Sequence, residues 1–158
     1  MFQVGDKVVY PMHGAGVIEA IEEREVLGEI RQYYVMHLPV GNMKVLVPLN
    51  NVGTLGLRGV ISKAEVQGVL QVLKDEAVVS TLAWNRRYRA NLEKIRSGNI
   101  LDVAEVVRSL AQREKDKGLS TGEKKMFENA CQILVSELVL AEESEEIQVR
   151  QWLSKVLA

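Results

Sequence analysis

Hydrophobic positions along this chain follow two different periods. Up to about residue 58 they come in short β-branched and aromatic runs, interrupted at close intervals by Gly, Pro and Asn. Lys7-Val8-Val9-Tyr10 stops at Pro11, and a turn-rich His13-Gly14-Ala15-Gly16 leads into an apolar run over residues 17–21. Gly28 sits between two charged edges, residues 22–25 and 29–31. Residues 32–38 form the next run, closed by Pro39 and a Gly41-Asn42 turn, and residues 44–47 are stopped by Pro48. All three prolines and seven of the twelve glycines lie in this part. Short strands with such punctuation predict a small antiparallel β-barrel.

Beyond about residue 59 the period becomes 3.6. Ser62 and Glu65 have capping-box spacing ahead of an apolar stripe of Val66, Val69, Leu70 and Leu73. A break is expected around residues 75–80. The next helix carries Tyr88, Leu92 and Ile95 and ends at Ser97-Gly98, and Asn99 starts a third with Val103, Val106, Val107 and Leu110 facing inward. Lys117-Gly118 closes it. Ser120 and Glu123 form a second capping box, opening a long helix through Ala130, Leu134 and Leu138. The acidic run at residues 142–146 precedes a last helix, where Trp152 keeps phase with Leu153 and Val156 and is read as the buried tryptophan. The chain therefore reads as α+β: a barrel over residues 1–58 and a compact domain of about five helices over residues 59–158.

Composition narrows the function more by exclusion than by assertion. The net charge of −1 gives no global reason for binding nucleic acid, but the charge is unevenly placed. Residues 61–99 hold seven Lys/Arg against four Asp/Glu, whereas residues 100–158 hold eight against eleven. A local basic patch can bind phosphates on a nearly neutral chain. One cysteine, Cys131, precludes an intramolecular disulfide framework and fits a reducing compartment. The N-terminal residues have no signal-peptide pattern, and no apolar run approaches the roughly 20 residues that span a bilayer. A soluble cytoplasmic protein without a membrane partner is expected.

Enzyme chemistry finds little support, and neither a metal nor a cofactor is expected. His13 and His37 lack cysteines or carboxylates at ligand spacing. Gly14-Ala15-Gly16 lacks the lysine and following helix of a phosphate loop, and reads as a hairpin turn. Cys131 is in register with Phe127 and Leu134 and reads as a structural thiol. Ser120 is explained as a helix cap.

The informative stretch is Trp84-Asn85-Arg86-Arg87-Tyr88-Arg89, continued by Lys94 and Arg96 and offset only by Glu93. Arginines supply bidentate phosphate contacts, and a neighbouring aromatic can stack on a base or wedge into a groove. The same spacing has a plain structural reading. Trp84, Tyr88, Leu92 and Ile95 share one helical stripe, which would bury Trp84 and leave the arginines in water. Against burial, Trp84 stands at the start of the pattern, with Asn85 as a candidate N-cap and amide donors suited to phosphate nearby. Spacing leaves both readings open. A buried Trp84 would suit a protein-protein adaptor, and a non-specific RNA-binding protein is a third possibility that the acidic last third disfavours.

Three long segments change the balance. FQVGDKVVYPMHGAGVIEAIE, WNRRYRANLEKIRSGN and GLSTGEKKMFENACQILVSELVLAE, in that order, closely resemble the CarD/CdnL family of bacterial transcription regulators. The resemblance covers essentially the whole chain. It implies a Tudor/SH3-like barrel that binds the β subunit of RNA polymerase, with a related barrel in the transcription-repair coupling factor. It also implies a helical domain that contacts promoter DNA at the upstream edge of the bubble, which would associate the protein with the nucleoid through polymerase. By resemblance, Trp84 is the minor-groove wedge, and Arg86, Arg87, Arg89 and Lys124 are DNA-backbone positions with little sequence specificity. Arg24 matches a basic position used against polymerase. Leu46 departs from relatives with arginine there, which implies a less ionic polymerase contact.

Overall fold

The computed structural model describes residues 2–51, 56–76 and 81–158. Five strands form one antiparallel sheet: β1 (Lys7–Tyr10), β2 (Gly14–Val26), β3 (Glu29–Leu38), β4 (Met43–Pro48) and β5 (Arg58–Gly59). Their order is β4-β3-β2-β1-β5, a meander whose last short strand returns to pair with β1. Inward side chains alternate as a half-buried sheet requires, and Val8, Ile18, Tyr34, Met36, Leu38 and Val47 fill the barrel. The Tyr34 hydroxyl donates to the Phe2 carbonyl at 3.1 Å and accepts from its amide at 3.2 Å, tying down the start of the chain.

Two expectations about this half are corrected. Gly14-Ala15-Gly16 is not the turn; residues 11–13 make it, and the three residues pair with β1 as Tyr10↔Gly14, Val9↔Ala15 and Val8↔Gly16. The glycines are needed because the strand is crowded. A Cβ on Gly16 would collide with the His37 carbonyl oxygen, and one on Gly14 would sit 2.8 Å from Ser136 Oγ. Nor are residues 22–25 and 29–31 loop edges. They continue β2 and β3 into a long ribbon, turned at Leu27-Gly28, both at positive φ (52 and 81°) as a tight hairpin needs.

Among the described residues the second half has five α-helices: α1 (Val66–Lys74), α2 (Trp84–Arg96), α3 (Ile100–Asp116), α4 (Thr121–Glu142) and α5 (Glu146–Leu157). Capping chemistry sets several starts. Ser62 and Glu65 satisfy each other's backbone amides one turn before α1 becomes regular. Asn99 Oδ1 accepts from the Leu101 amide at 2.8 Å to open α3. Ser120 Oγ accepts from the Glu123 amide at 3.2 Å to open α4. The break expected at residues 75–80 begins where α1 stops at Lys74; residues 77–80 lie outside the described part. α3 and α4 supply most of the helical core, with Val103, Val107, Leu110, Leu134 and Leu138 almost fully buried. Trp152 is half-buried rather than enclosed, packed on this core from one side.

The barrel sits directly on α4. Ala15 donates its amide to Ser136 Oγ at 2.8 Å, and Met12 and Val40 of the first half join the helical core. Glu137, fully buried in the middle of α4, receives Arg58 of β5 through two bonds of 2.7 and 2.8 Å. The same carboxylate accepts the Ile61 amide at 3.0 Å, and Arg58 Nε donates to the Gly98 carbonyl at 2.7 Å. Strand β5, loop and helix therefore meet at one charged knot.

Candidate nucleic-acid interface

Helix α2 begins at Trp84 itself, with Ala83 in the cap position and no side-chain cap; Asn85 lies inside the helix. The first-turn amides thus have no side-chain acceptor of their own, the condition under which a helix N-terminus suits an anion. Trp84 follows the α2 stripe closely enough to stack on Tyr88, with ring centroids 5.1 Å apart and planes at 20°. It remains 43% exposed, because α2 projects its first turn past the core that buries Ile95 at the other end.

The N-terminus of α4 supports the indole from a second side. Trp84 Nε1 donates to Ser120 Oγ at 3.1 Å. A Cβ placed on Gly122 would lie 3.5 Å from Trp84 Cζ2, so the glycine passes directly under the ring edge. Trp84 is therefore half-exposed but not loose.

The basic residues around it divide into two groups. Arg86 and Arg89 of α2 and Lys124 of α4 are exposed, and no carboxylate pairs with them among the described residues. Arg87 turns inward instead and is 9% exposed. Its Nε and Nη2 donate to Glu123 at 3.1 and 3.4 Å, and its Nη1 donates to the Leu82 carbonyl at 3.2 Å. The expected DNA-backbone position Arg87 is thus turned inward, with three of its N–H donors engaged inside the protein. Arg113 approaches the same carboxylate at 3.9 Å. Burial alone would raise the Glu123 pKa. The Arg87 hydrogen bond and charge, the Arg113 charge and the Ser120 hydroxyl outweigh it and hold the carboxyl below its usual range.

The barrel positions singled out in the sequence lie elsewhere. Arg24 pairs across the ribbon with Arg31, and Leu46 pairs with Val35, which in turn faces Ala20. Cross-strand partners share a face, so Arg24 and Leu46 belong to the same side of the sheet, opposite the side that carries Tyr34 and Val47 into the core. Both are exposed. Arg24 bonds Glu22 at 3.1 Å and Arg31 bonds Glu29 at 3.0 Å, each two residues along its own strand. Leu27 and Ile30, at and beside the hairpin turn, are 99% and 72% exposed.

The remaining candidates are structural in their surroundings. His37 Nε2 lies 3.0 Å from Asn42 Oδ1, and His13 packs on Tyr10 with centroids 4.4 Å apart. Cys131 is a free thiol pushed up to about 11 by burial. Among the described residues no cluster of His, Cys, Asp or Glu could hold a metal ion, and no helix is long and apolar enough to cross a membrane. Sequence reasoning recognised Ser120 only as a cap and gave Glu123, Gly122, Arg58 and Glu137 no part in the site. Their contacts span 36 to 79 residues, beyond any local pattern.

Comparison with known proteins agrees with both halves. A family model for the CarD C-terminal domain matches residues 68–154, and one for the CarD-like/TRCF RID domain matches residues 2–61. The "Putative transcription factor YdeB" of Bacillus subtilis (strain 168) is 41% identical over 152 residues, covering 96% of this chain and 99% of its own length. The solution NMR structure of the 72-residue N-terminal domain of Myxococcus xanthus CarD shares 34% identity, covers 37% of this chain and 79% of its own, and superposes with a TM-score of 0.33. With two domain models in sequence order and a relative matched nearly end to end, the chain belongs to the CarD/CdnL family of transcription regulators.

Proposed function

We propose that this protein is a transcription factor tethered to the RNA polymerase β subunit, and that it stabilises the open promoter complex with Trp84. The observation that carries the reading is the exposed indole at the head of α2, beside Arg86, Arg89 and Lys124, none of them neutralised by a carboxylate among the described residues. Family membership supports the polymerase contact, through the match of residues 2–61 to the CarD-like/TRCF RID domain. Arg24 and Leu46, on the outer face of the sheet, are the residues proposed to make it, with the edge strand β4 available for strand pairing.

The mechanism follows from differential affinity. A ligand shifts an equilibrium only by binding one state better than the other. An apolar wedge needs widened, unstacked DNA, so Trp84 favours the opened promoter over the closed duplex. Unstacking costs a few kcal/mol per step, and an inserted indole offsets part of that cost. About 1.4 kcal/mol of preference changes the open/closed ratio tenfold. Arg86, Arg89 and Lys124 contribute phosphate contacts that orient the wedge without reading sequence. Polymerase tethering raises local concentration, so weak binding to free DNA suffices.

A photo-cross-linking side chain at position 84 tests the location. In the polymerase-promoter complex it should capture DNA at the upstream edge of the bubble. Capture of protein alone would favour the adaptor reading and remove Trp84 from the DNA.

A further inference from the structure

Ser120 Oγ is the point where three groups converge. It accepts the Glu123 amide at 3.2 Å, accepts Trp84 Nε1–H at 3.1 Å, and donates to Glu123 Oε1 at 3.3 Å. A hydroxyl has two lone pairs and one proton, so its capacity is fully used. Glu123 is fixed in turn, being 2% exposed and clasped by Arg87 of α2, the helix that carries Trp84. The contacts close a ring from Trp84 to Ser120, to Glu123, to Arg87 and back along one turn of α2.

We propose that Ser120 is a positioning residue for Trp84: it takes up the indole's only hydrogen-bond donor, so that the ring meets DNA through carbon alone. This rests on the reading of Trp84 as a DNA contact, and it adds two properties to that reading. The wedge is preorganised. Nε1 is tied to Ser120, one face lies on Tyr88 and the Cζ2 edge lies over Gly122, while the residue keeps 43% of its surface exposed. Little ordering then remains to be done on binding. The wedge is also silent toward base identity. Minor-groove edges present acceptors to which a free indole N–H could donate. With that proton held by Ser120, the ring responds to unstacking and width rather than to hydrogen-bonding pattern.

The test uses the full chain with Trp152→Phe, so that one indole N–H signal remains. Ser120→Gly removes the acceptor while retaining a residue tolerated at the helix cap, and Ser120→Thr keeps both hydroxyl and cap. In the free protein, Ser120→Gly is expected to shift the Trp84 indole N–H resonance and speed its exchange with water about fivefold, the worth of one hydrogen bond. Ser120→Thr should restore both. On polymerase-promoter complexes Ser120→Gly should shorten the open-complex lifetime, and Ser120→Thr should not. An indole resonance and exchange rate unchanged in Ser120→Gly would overturn the proposal, whatever the DNA result. An indole that responds, in a protein whose Trp84→Ala variant leaves open complexes unaffected, would leave the Ser120 hold in place and remove the DNA reading instead.

Discussion

Arg58 and Glu137 face each other across the junction of barrel and helices, joined by parallel bonds of 2.7 and 2.8 Å. Arg58 belongs to β5, paired with β1, and Glu137 to the middle of α4. The pair therefore helps fix the direction in which the outer face of the sheet lies relative to Trp84. A tethered wedge needs that relation, since a polymerase contact at one end must deliver an indole to a defined place at the other.

Breaking this pair should be costly. Arg58→Met leaves a carboxylate that is 1% exposed without its cation, and the loss is expected to be about 3 kcal/mol, toward the low end for buried pairs because the Arg58 side chain is 30% exposed. Arg58→Met with Glu137→Leu should lose less than the single change, since no charge is then stranded. Urea unfolding with an unchanged slope measures both.

The arginines of α2 should separate by function. Arg87→Ala leaves buried Glu123 with only Arg113 at 3.9 Å and the Ser120 hydroxyl, and should destabilise the fold by about 2–3 kcal/mol. Arg86→Ala and Arg89→Ala, both at exposed positions, should stay within about 0.5 kcal/mol of the parent. Each should instead lower the salt dependence of promoter binding by about one phosphate contact. Unfolding curves and a salt titration of the polymerase-promoter complex distinguish the two classes.

Acid should act on Glu123 in a set direction. Its carboxyl is held below the usual range in the folded state, so it contributes stability above the unfolded carboxylate value, about 4.3. That contribution is lost as the pH falls through the lower folded value. Thermal melts from neutral pH downward should therefore show no effect of this group until the carboxylate range is reached. Glu123→Gln should flatten the acid limb and start from a lower melting temperature.

Arg24→Glu should weaken binding to the isolated polymerase β lobe about tenfold, corresponding to 1.4 kcal/mol. Arg24 lies beside Arg31 on the same face of the ribbon, each paired with a glutamate of its own strand, so the substitution turns a charge-balanced patch acidic. Titration of the lobe with parent and variant gives the ratio. Equal affinity would take Arg24 out of that contact.

Much of the fold was legible because its signals are local. Proline and glycine punctuation marked β1, β3 and β4, and Ser62, Asn99 and Ser120 marked helix starts that the backbone uses. The far ends of β2 and β3 were not legible. Residues 21–32 are exposed on both faces of the ribbon, so no alternation of polar and apolar positions announces a strand. The site was readable in part. The spacing of Trp84 and Tyr88 indicated their contact, whereas the exposure of Trp84 depends on where α2 projects beyond the core. The inward turn of Arg87 depends on Glu123, 36 residues away, and a buried ion pair leaves no trace in the periodicity of either helix.

The lifetime of open promoter complexes, measured after competitor challenge with the parent protein and with Trp84→Ala, reports on the wedge itself. Trp84 is half-exposed and is not part of the buried core, so the variant should fold and should bind polymerase as the parent does. The complexes should decay faster with Trp84→Ala, by about tenfold if the wedge contributes 1.4 kcal/mol. Equal lifetimes at equal polymerase occupancy would contradict it.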